Sequence, residues 1–372
     1  MNAAIFPLTG DPMHYGHMEI LRGASRVSNK VYLALGINPE KEGKHLFTEE
    51  ERIQLAKNAV ECLGLKNVEV ETFSGWLADY AKQKNVNLLV RGARNEKDLK
   101  YETMAAEYHA KHGIETILIP TYGNISMISS TKLKEEVRQG KLMHEYTTPK
   151  IKQALEEKLL GISIVGVTGM MGSGKSTFCR EITAYASRHG VKMQHIDCDA
   201  LAHSLYCSEN PVYPEIYNEI KSCFGEEVCA GNSINRKALS KKALASNENR
   251  IKLMQILSKP FRTEVEKQLA NAKGIVLLDA AYLDMMLPWV NYNAIIVKCN
   301  EQERKKRVLA RDKISEEAFD RISSYLLSPE KFRELIEKEQ KDKCNGIYYE
   351  VDSGNTKNEE VLEWLKKSFR TY

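Results

Sequence analysis

"ISIVGVTGMMGSGKSTFCREITAYA", residues 162–186, decides the fold of half this chain. An apolar run, 162–168, reads as a strand, a glycine loop follows, and "STFCREITAYA" continues as a helix. Gly169 to Ser176 satisfies GxxxxGK[ST] in the strand–loop–helix setting that gives the pattern its meaning. Gly169, Gly172 and Gly174 let backbone N–H groups curl around phosphate oxygens. Lys175 is placed to reach the β/γ-phosphates of a nucleotide, Ser176 offers a hydroxyl to Mg²⁺, and Thr177 continues the phosphate-binding turn.

The same rhythm extends on both sides. Downstream, "MQHID" (193–197), "IVLLD" (275–279), "AIIVK" (294–298) and "GIYYEV" (346–351) read as strands, with charged helical patterns over 300–343. Upstream, "AAIF" (3–6), "VYLAL" (31–35), "VEVETF" (68–73), "NLLVRG" (87–92) and "TILIP" (116–120) are strands separated by helices. One of these helices carries Ile20, Leu21, Ala24 and Val27 on a single face, and another starts at a Thr48/Glu51 capping box. "YTTPKIKQALEEKLLG" (146–161) reads as a helix begun near Pro149 and stopped at Gly161. The expectation is an α/β chain of two doubly wound parallel-sheet domains, 1–160 and 161–372. Ligands of such sheets sit at the carboxyl ends of the strands.

Composition bounds the rest. The 372 residues carry 54 basic and 50 acidic side chains, too even a balance to argue for nucleic acid or a membrane surface. The N-terminus has neither a charged n-region nor a long apolar h-region, and no stretch nears the ~20 apolar residues of a membrane span. Eight cysteines without a CxxC read as reduced thiols, several of them in cores, rather than a disulfide framework or zinc site. A cytoplasmic protein is the expectation.

Two further features bear on the second half. "HIDCDALAH" places Asp197 and Asp199 two apart, on one side of a strand if the strand persists. Either could take a proton from an attacking hydroxyl or hold magnesium, or simply cap a helix. "RKKRVLARD" (304–312) sets Arg307 and Arg311 on one helix face. They could clamp a phosphoryl group or pair with Glu303 and Asp312 in solvent.

With the P-loop, "IDCDALAH", "KRVLARD" and the closing "YEVDSG", the stretch 162–372 resembles dephospho-coenzyme A kinase. The resemblance implies ATP-dependent phosphorylation of the ribose 3′-hydroxyl of dephospho-CoA. It makes Asp199 the general base and a metal ligand, gives phosphates and metal to Lys175 and Ser176, and makes Arg307 and Arg311 the lid. This chain departs at Lys259-Pro260, where the family has His-Pro, in the run Ala280–Asp284, and at Asp352 in place of Asn.

The first half opens on "FPLTGDPMHYGHMEIL" (6–21). Its histidine pair could bind metal with Asp11, fill a core, mark a plain helix N-terminus, or contact phosphate beside free N–H groups. HxGH, with Thr9 before it, resembles the nucleotidyltransferase superfamily, and "ISSTKLKEEV" (128–137) resembles its second signature. "LVRGARNEKDLKYETMAAEYHAK" (89–111) is similar to the signature of phosphopantetheine adenylyltransferase. That resemblance implies a Rossmann-like domain in which the acceptor phosphate of 4′-phosphopantetheine attacks the α-phosphorus of ATP. His14 and His17 would touch the triphosphate, Lys41 would support developing charge, and Arg91 would take the acceptor phosphate. Ser129, Ser130 and Thr131 would hold the β/γ-phosphates, and Thr9 would contact both substrates. Gly10 stands where the family has Phe, and His14 where bacterial members more often have Thr.

Together the resemblances imply the last two steps of coenzyme A biosynthesis, with ATP as co-substrate, Mg²⁺, and possible homo-oligomers. The alternatives are a fusion acting on another phosphorylated acceptor, such as nicotinamide mononucleotide, and a non-catalytic CoA or nucleotide sensor.

Overall fold

The structure, a computed structural model, describes residues 2–37 and 44–369. It divides into two compact units: 1–137 with 143–159 and 341–345, and 138–142 with 160–340 and 346–372. No described helix is long and apolar enough to cross a membrane.

In the first unit the strands are β1 (Ala3–Leu8), β2 (Lys30–Ile37), β3 (Val68–Ser74), β4 (Leu88–Ala93) and β5 (Glu115–Pro120). All pair in parallel in the order β3-β2-β1-β4-β5. The helices are α1 (Tyr15–Val27), α2 (Glu49–Cys62), α3 (Leu77–Gln83), α4 (Glu96–Ala110), α5 (Ser130–Arg138) and α6 (Pro149–Leu159). Strand order reverses between β1 and β4, so the loops leaving these strands diverge and leave a crevice at their carboxyl ends. The HxGH stretch follows β1, and Arg91 lies near the carboxyl end of β4. Thr48 and Glu51 form the reciprocal cap expected of them. Ile20, Leu21 and Ala24 are buried, whereas Val27 is 56% exposed. The apolar face of α1 therefore stops a turn earlier than its spacing predicts: Val27 is the last residue of the helix and stays open to solvent.

In the second unit the strands are β6 (Ile162–Thr168), β7 (Met193–Asp197), the short antiparallel pair β8 (Cys229–Ala230) and β9 (Ser233–Ile234), β10 (Gly274–Asp279), β11 (Ala294–Lys298) and β12 (Tyr348–Asp352). The parallel sheet runs β12-β11-β6-β10-β7. Its helices are α7 (Lys175–Arg188), α8 (Cys198–Ser204), α9 (Tyr213–Phe224), α10 (Arg236–Ala243), α11 (Asn247–Asn271), α12 (Glu301–Asp312), α13 (Glu316–Ser324), α14 (Pro329–Lys343) and α15 (Asn358–Ser368). One core packs α7 and α15 onto the sheet through Val165, Ile182, Leu277, Ile295 and Leu362. A separate core of Leu205, Ile216, Ile220, Phe224 and Leu239 joins α9, α10 and α11. The alternation of strands and helices left this helical subdomain unread. The run at 346–351 enters the sheet only at Tyr348, since Gly346 takes a positive φ of 107°.

Candidate functional site

At the switch point of the first sheet lies a cavity of about 770 Å³. Thr9, His14, His17, Arg91, Ser129, Ser130 and Thr131 all line it. Lys41 falls outside the described residues.

The histidine pair is built by the start of α1. His14 is its N-cap, with extended backbone, and Gly16 N donates to His14 Nδ1 at 3.1 Å. His14 N in turn donates to His17 Nδ1 at 3.3 Å. Two imidazoles thus do the work usually left to a Ser and a Glu. Because Nδ1 of each ring accepts, each neutral ring carries its proton on Nε2 and keeps that donor for another partner. The rings lie 3.8 Å apart, centroid to centroid. Burial lowers the pKa of His14 to about 4, with Arg94 adding to the effect. Burial first, then His14, Arg94 and Arg91, holds His17 well below its usual range. Both are therefore neutral hydrogen-bond donors at neutral pH. Gly16 is required here: a Cβ would stand 2.8 Å from the His14 ring. The helix-terminus reading holds, and the capping bonds fix both rings in the wall of the cavity.

Asp11 is not arranged as a metal ligand beside them. Its carboxylate accepts from Leu46 N and Phe47 N at 3.0 Å each and from Lys134 Nζ at 2.9 Å. Burial raises its pKa, but these bonds outweigh burial and lower it overall. Gly10 has φ +63°, and a Cβ there would meet the Leu35 side chain at 3.0 Å, so the phenylalanine of the family pattern has no place in this backbone.

Arg91 donates from Nε and Nη2 to the two oxygens of Glu102, both at 2.7 Å, and from Nη1 to Pro7 O at 3.0 Å. This bidentate fork fixes the guanidinium plane at the crevice and leaves two of its five N–H groups for a ligand. Ser130 Oγ donates to Pro12 O at 2.8 Å, and Ser129 Oγ accepts from Lys132 N at 3.1 Å. The two hydroxyls therefore pin α5 to the β1 loop and cap it. Lys134, Arg94 and Glu102 line the cavity too. They were not singled out in the sequence; Lys134 is three residues past Thr131, hence on the same helical face.

In the second unit, Gly169, Gly172 and Gly174 all have positive φ (155°, 81° and 95°). A Cβ at Gly169 would lie 2.3 Å from Val297 O. Lys175 Nζ donates back to Gly169 O at 3.1 Å. Ser176 Oγ donates to Asp279 Oδ2 at 2.7 Å. Asp279 ends β10, is 4% exposed, and was passed over in the sequence as the last residue of "IVLLD". An acidic residue closing an apolar strand was the available signal. The hydroxyl and carboxylate oxygens of Ser176 and Asp279 form the hard donor set that Mg²⁺ prefers.

Asp197 and Asp199 do not share a strand face. β7 stops at Asp197, whose Oδ1 caps α8 by accepting from Ala200 N at 2.9 Å, and Asp199 sits in the first helical turn. Although Asp199 keeps contact with solvent, the protein crowded around it raises its pKa; Asp279 and Asp197 act the same way, and Lys175 opposes them.

Arg307 and Arg311 line a cavity of about 460 Å³ with Gly172, Gly174, Thr177 and Asp352. Arg307 also pairs with Glu303 at 3.1 Å and Arg311 with Asp312 at 2.7 Å, so both arginines face the nucleotide loop while held by surface carboxylates. Of the positions that depart from the kinase pattern, Lys259 is exposed on α11. Tyr282 stacks on Arg250, whose guanidinium lies 4.9 Å from its ring centroid and 5.5 Å from that of Tyr325.

The cytidylyltransferase-like family profile matches residues 8–136, and the dephospho-CoA kinase profile matches 163–337. The phosphopantetheine adenylyltransferase of Deinococcus radiodurans is 37% identical over 156 residues, 42% of this chain and 92% of that protein. That of Streptomyces coelicolor is 37% identical over 160 residues, 43% of this chain and 98% of that protein. The solved dephospho-CoA kinase from Campylobacter jejuni covers 55% of this chain and 97% of its own, with 18% identity and a TM-score of 0.32, and adds no weight. The chain belongs to the phosphopantetheine adenylyltransferase family through its first half, joined in one polypeptide to a dephospho-CoA kinase domain.

Proposed function

We propose that the chain catalyses two consecutive transfers: adenylyl transfer from ATP to 4′-phosphopantetheine in the first unit, and phosphorylation of the dephospho-CoA ribose 3′-hydroxyl in the second. One observation carries the reading. The two families joined in this chain make and consume the same compound; beside that, the first unit lines one crevice with Thr9, His14, His17, Arg91 and Ser129–Thr131, and the second sets Thr177, Arg307 and Arg311 around the P-loop glycines Gly172 and Gly174.

In the first unit a phosphate oxygen of the acceptor attacks the α-phosphorus in line and pyrophosphate leaves. No covalent intermediate is needed, so positioning and charge stabilisation supply the rate. The Nε2–H groups of His14 and His17 donate to the triphosphate, Ser129 to Thr131 meet its β/γ end, and Arg91, oriented by Glu102, receives the acceptor phosphate. Lys134 adds positive charge on the same wall, and Thr9 lies between the substrates.

In the second unit the ATP phosphates lie in the Gly169–Gly174 loop, where a phosphate oxygen takes over the Lys175 bond to Gly169 O. Asp199 accepts the proton of the attacking 3′-hydroxyl, and its raised pKa makes it a stronger base than an ordinary aspartate. Arg307 and Arg311 close over the transferring phosphoryl group. Mg²⁺, when bound, is held by Ser176 and Asp279 with Asp199 beside them, and supplies neutralisation of phosphate charge.

A second reading keeps the chemistry and changes the kinase acceptor, on the ground that Arg250, Tyr282 and Tyr325 build an aromatic–cationic wall that includes Tyr282 of the departing run Ala280–Asp284. Incubating the purified chain with ATP, Mg²⁺ and 4′-phosphopantetheine, and following products by mass, decides between them. Coenzyme A is the expected product. Dephospho-CoA alone removes the kinase assignment; no product removes the adenylyltransferase assignment, and the kinase is then assayed with dephospho-CoA supplied.

A further inference from the structure

The second unit gathers three side chains that phosphate chemistry does not call for together. Ser176 and Cys179 are three apart on α7, so the helix presents a hydroxyl and then a thiol on one face. On the sheet below, Asp279 shares the face of Ile275 and Leu277, and His195 of the adjacent strand β7 pairs in register with Leu277. Sγ of Cys179, an imidazole nitrogen of His195 and a carboxylate oxygen of Asp279 all lie within 4.8 Å of one another. His195 Nε2 stands 3.4 Å from Asp279 Oδ2. That nitrogen is buried and makes no hydrogen bond.

Taken singly, each has a plain explanation. Cys179 packs with Phe178, Ile182 and Leu277 as a small apolar residue, and His195 rests against a carboxylate. Packing accounts for neither the orphaned nitrogen nor the convergence of sulfur, nitrogen and oxygen donors on one point. Mg²⁺ takes hard oxygens and has no use for a thiol or imidazole. A soft-to-borderline divalent cation takes all three. A tetrahedral zinc site with bonds of roughly 2.0–2.3 Å has ligand atoms about 3.3–3.8 Å apart, so contraction by about 1 Å closes this cluster on an ion. The three ligands come from a helix and two strands, which is why no spacing in the sequence announces them.

We propose that Cys179, His195 and Asp279 form a zinc-class cation site beneath the P-loop that shares Asp279 with the magnesium position, so that its occupation withdraws that carboxylate from Ser176 and switches off the kinase unit. The thiol must lose its proton to bind, so occupation releases a proton and strengthens as pH rises.

Co²⁺ added to the chelator-treated full chain reports the site directly. The expected result is one Co²⁺ per chain, displaced by Zn²⁺, with the near-ultraviolet charge-transfer absorption of a thiolate-bound cobalt. That absorption disappears in Cys179→Ala, weakens in His195→Gln and persists in Cys299→Ser and Cys62→Ser. No such absorption in the parent chain, or its survival in Cys179→Ala, overturns the site. The switch rests on the kinase reading and is measured separately, as Zn²⁺ inhibition of dephospho-CoA phosphorylation at fixed Mg²⁺ and ATP, with adenylyl transfer as the internal control. Half-inhibition needs at least ~10-fold more Zn²⁺ in His195→Gln than in the parent, and equal inhibition of the two overturns the switch. A parent chain with no kinase activity refutes the kinase reading and, with it, the switch, while the cobalt spectrum still decides the site.

Discussion

Ser176 Oγ lies 2.7 Å from Asp279 Oδ2, joining the first turn of the P-loop helix to the end of a neighbouring strand 103 residues away. The pair joins a hydroxyl and a buried carboxylate, the oxygen donors that the proposed Mg²⁺ would take. Asp279→Asn keeps the shape and one acceptor oxygen but removes the charge. Phosphorylation of dephospho-CoA is expected to fall about 10²–10³-fold in kcat while adenylyl transfer by the same sample is unchanged. Separate steady-state assays of the two reactions check this.

His17→Ala should do the reverse. It removes the Nε2–H donor held over the first crevice and the acceptor that satisfies His14 N. Adenylyl transfer is expected to drop roughly 10²–10³-fold, with KM for ATP changed much less than kcat, because the lost bond strengthens as charge develops. Kinase activity is the control.

The buried His14 makes the first unit sensitive to acid. Its folded pKa of about 4 lies below its ordinary 6.5, so between these values the unfolded chain binds more protons than the folded one. The stability it contributes is complete above pH 6.5 and is lost as pH falls towards 4, a change of about 3 kcal/mol. His17, shifted the same way, steepens the loss. His14→Asn keeps an N-cap side chain without the titration, so denaturant unfolding between pH 6.5 and 4 should show a flatter stability profile in that variant.

Gly16→Ala tests the geometry of the histidine cap without touching a functional group. The new Cβ meets the His14 ring at 2.8 Å and displaces it from Gly16 N. A destabilisation of about 1–3 kcal/mol is expected from the overpacking. Adenylyl transfer should be lost beyond what the unfolded fraction explains, read from activity at a temperature where circular dichroism shows the variant folded.

Arg91→Lys separates charge from shape. A lysine keeps the positive charge but cannot reproduce the fork on Glu102 or the bond to Pro7 O. KM for 4′-phosphopantetheine should rise about 10-fold, with KM for ATP nearly unchanged.

Much of this was written locally. Ten strands were legible in the sequence: central ones such as β6, β10 and β11 are buried on both faces and need an unbroken apolar stretch, whereas the edge strands β3 and β5 are only partly covered and carry polar residues among the apolar ones. The P-loop and HxGH were legible for a related reason: positive φ at Gly169, Gly172 and Gly174, and the close approach of Gly16 to the His14 ring, are local demands met by local residues. The helical subdomain around Phe224 and Leu239 was missed because its core assembles from separated segments: α9 shows its apolar face in Tyr213, Ile216, Ile220 and Phe224, but the residues that cover that face, such as Leu205 and Leu239, lie elsewhere in the chain.

The sequence by itself determined the two α/β units, their phosphate loops and the types of side chain available to them. Only the tertiary structure decided which distant groups meet. It ended β7 at Asp197 and put Asp199 in a helix, because the aspartate's bond to Ala200 N satisfies a donor that a continued strand would leave to a partner. It set Glu102 against Arg91, drew Asp279 to Ser176, and brought Cys179 and His195 to the same carboxylate. Such meetings follow from strand order and helix packing, which bring together residues a hundred positions apart, and a chain read in one dimension carries no distance between them.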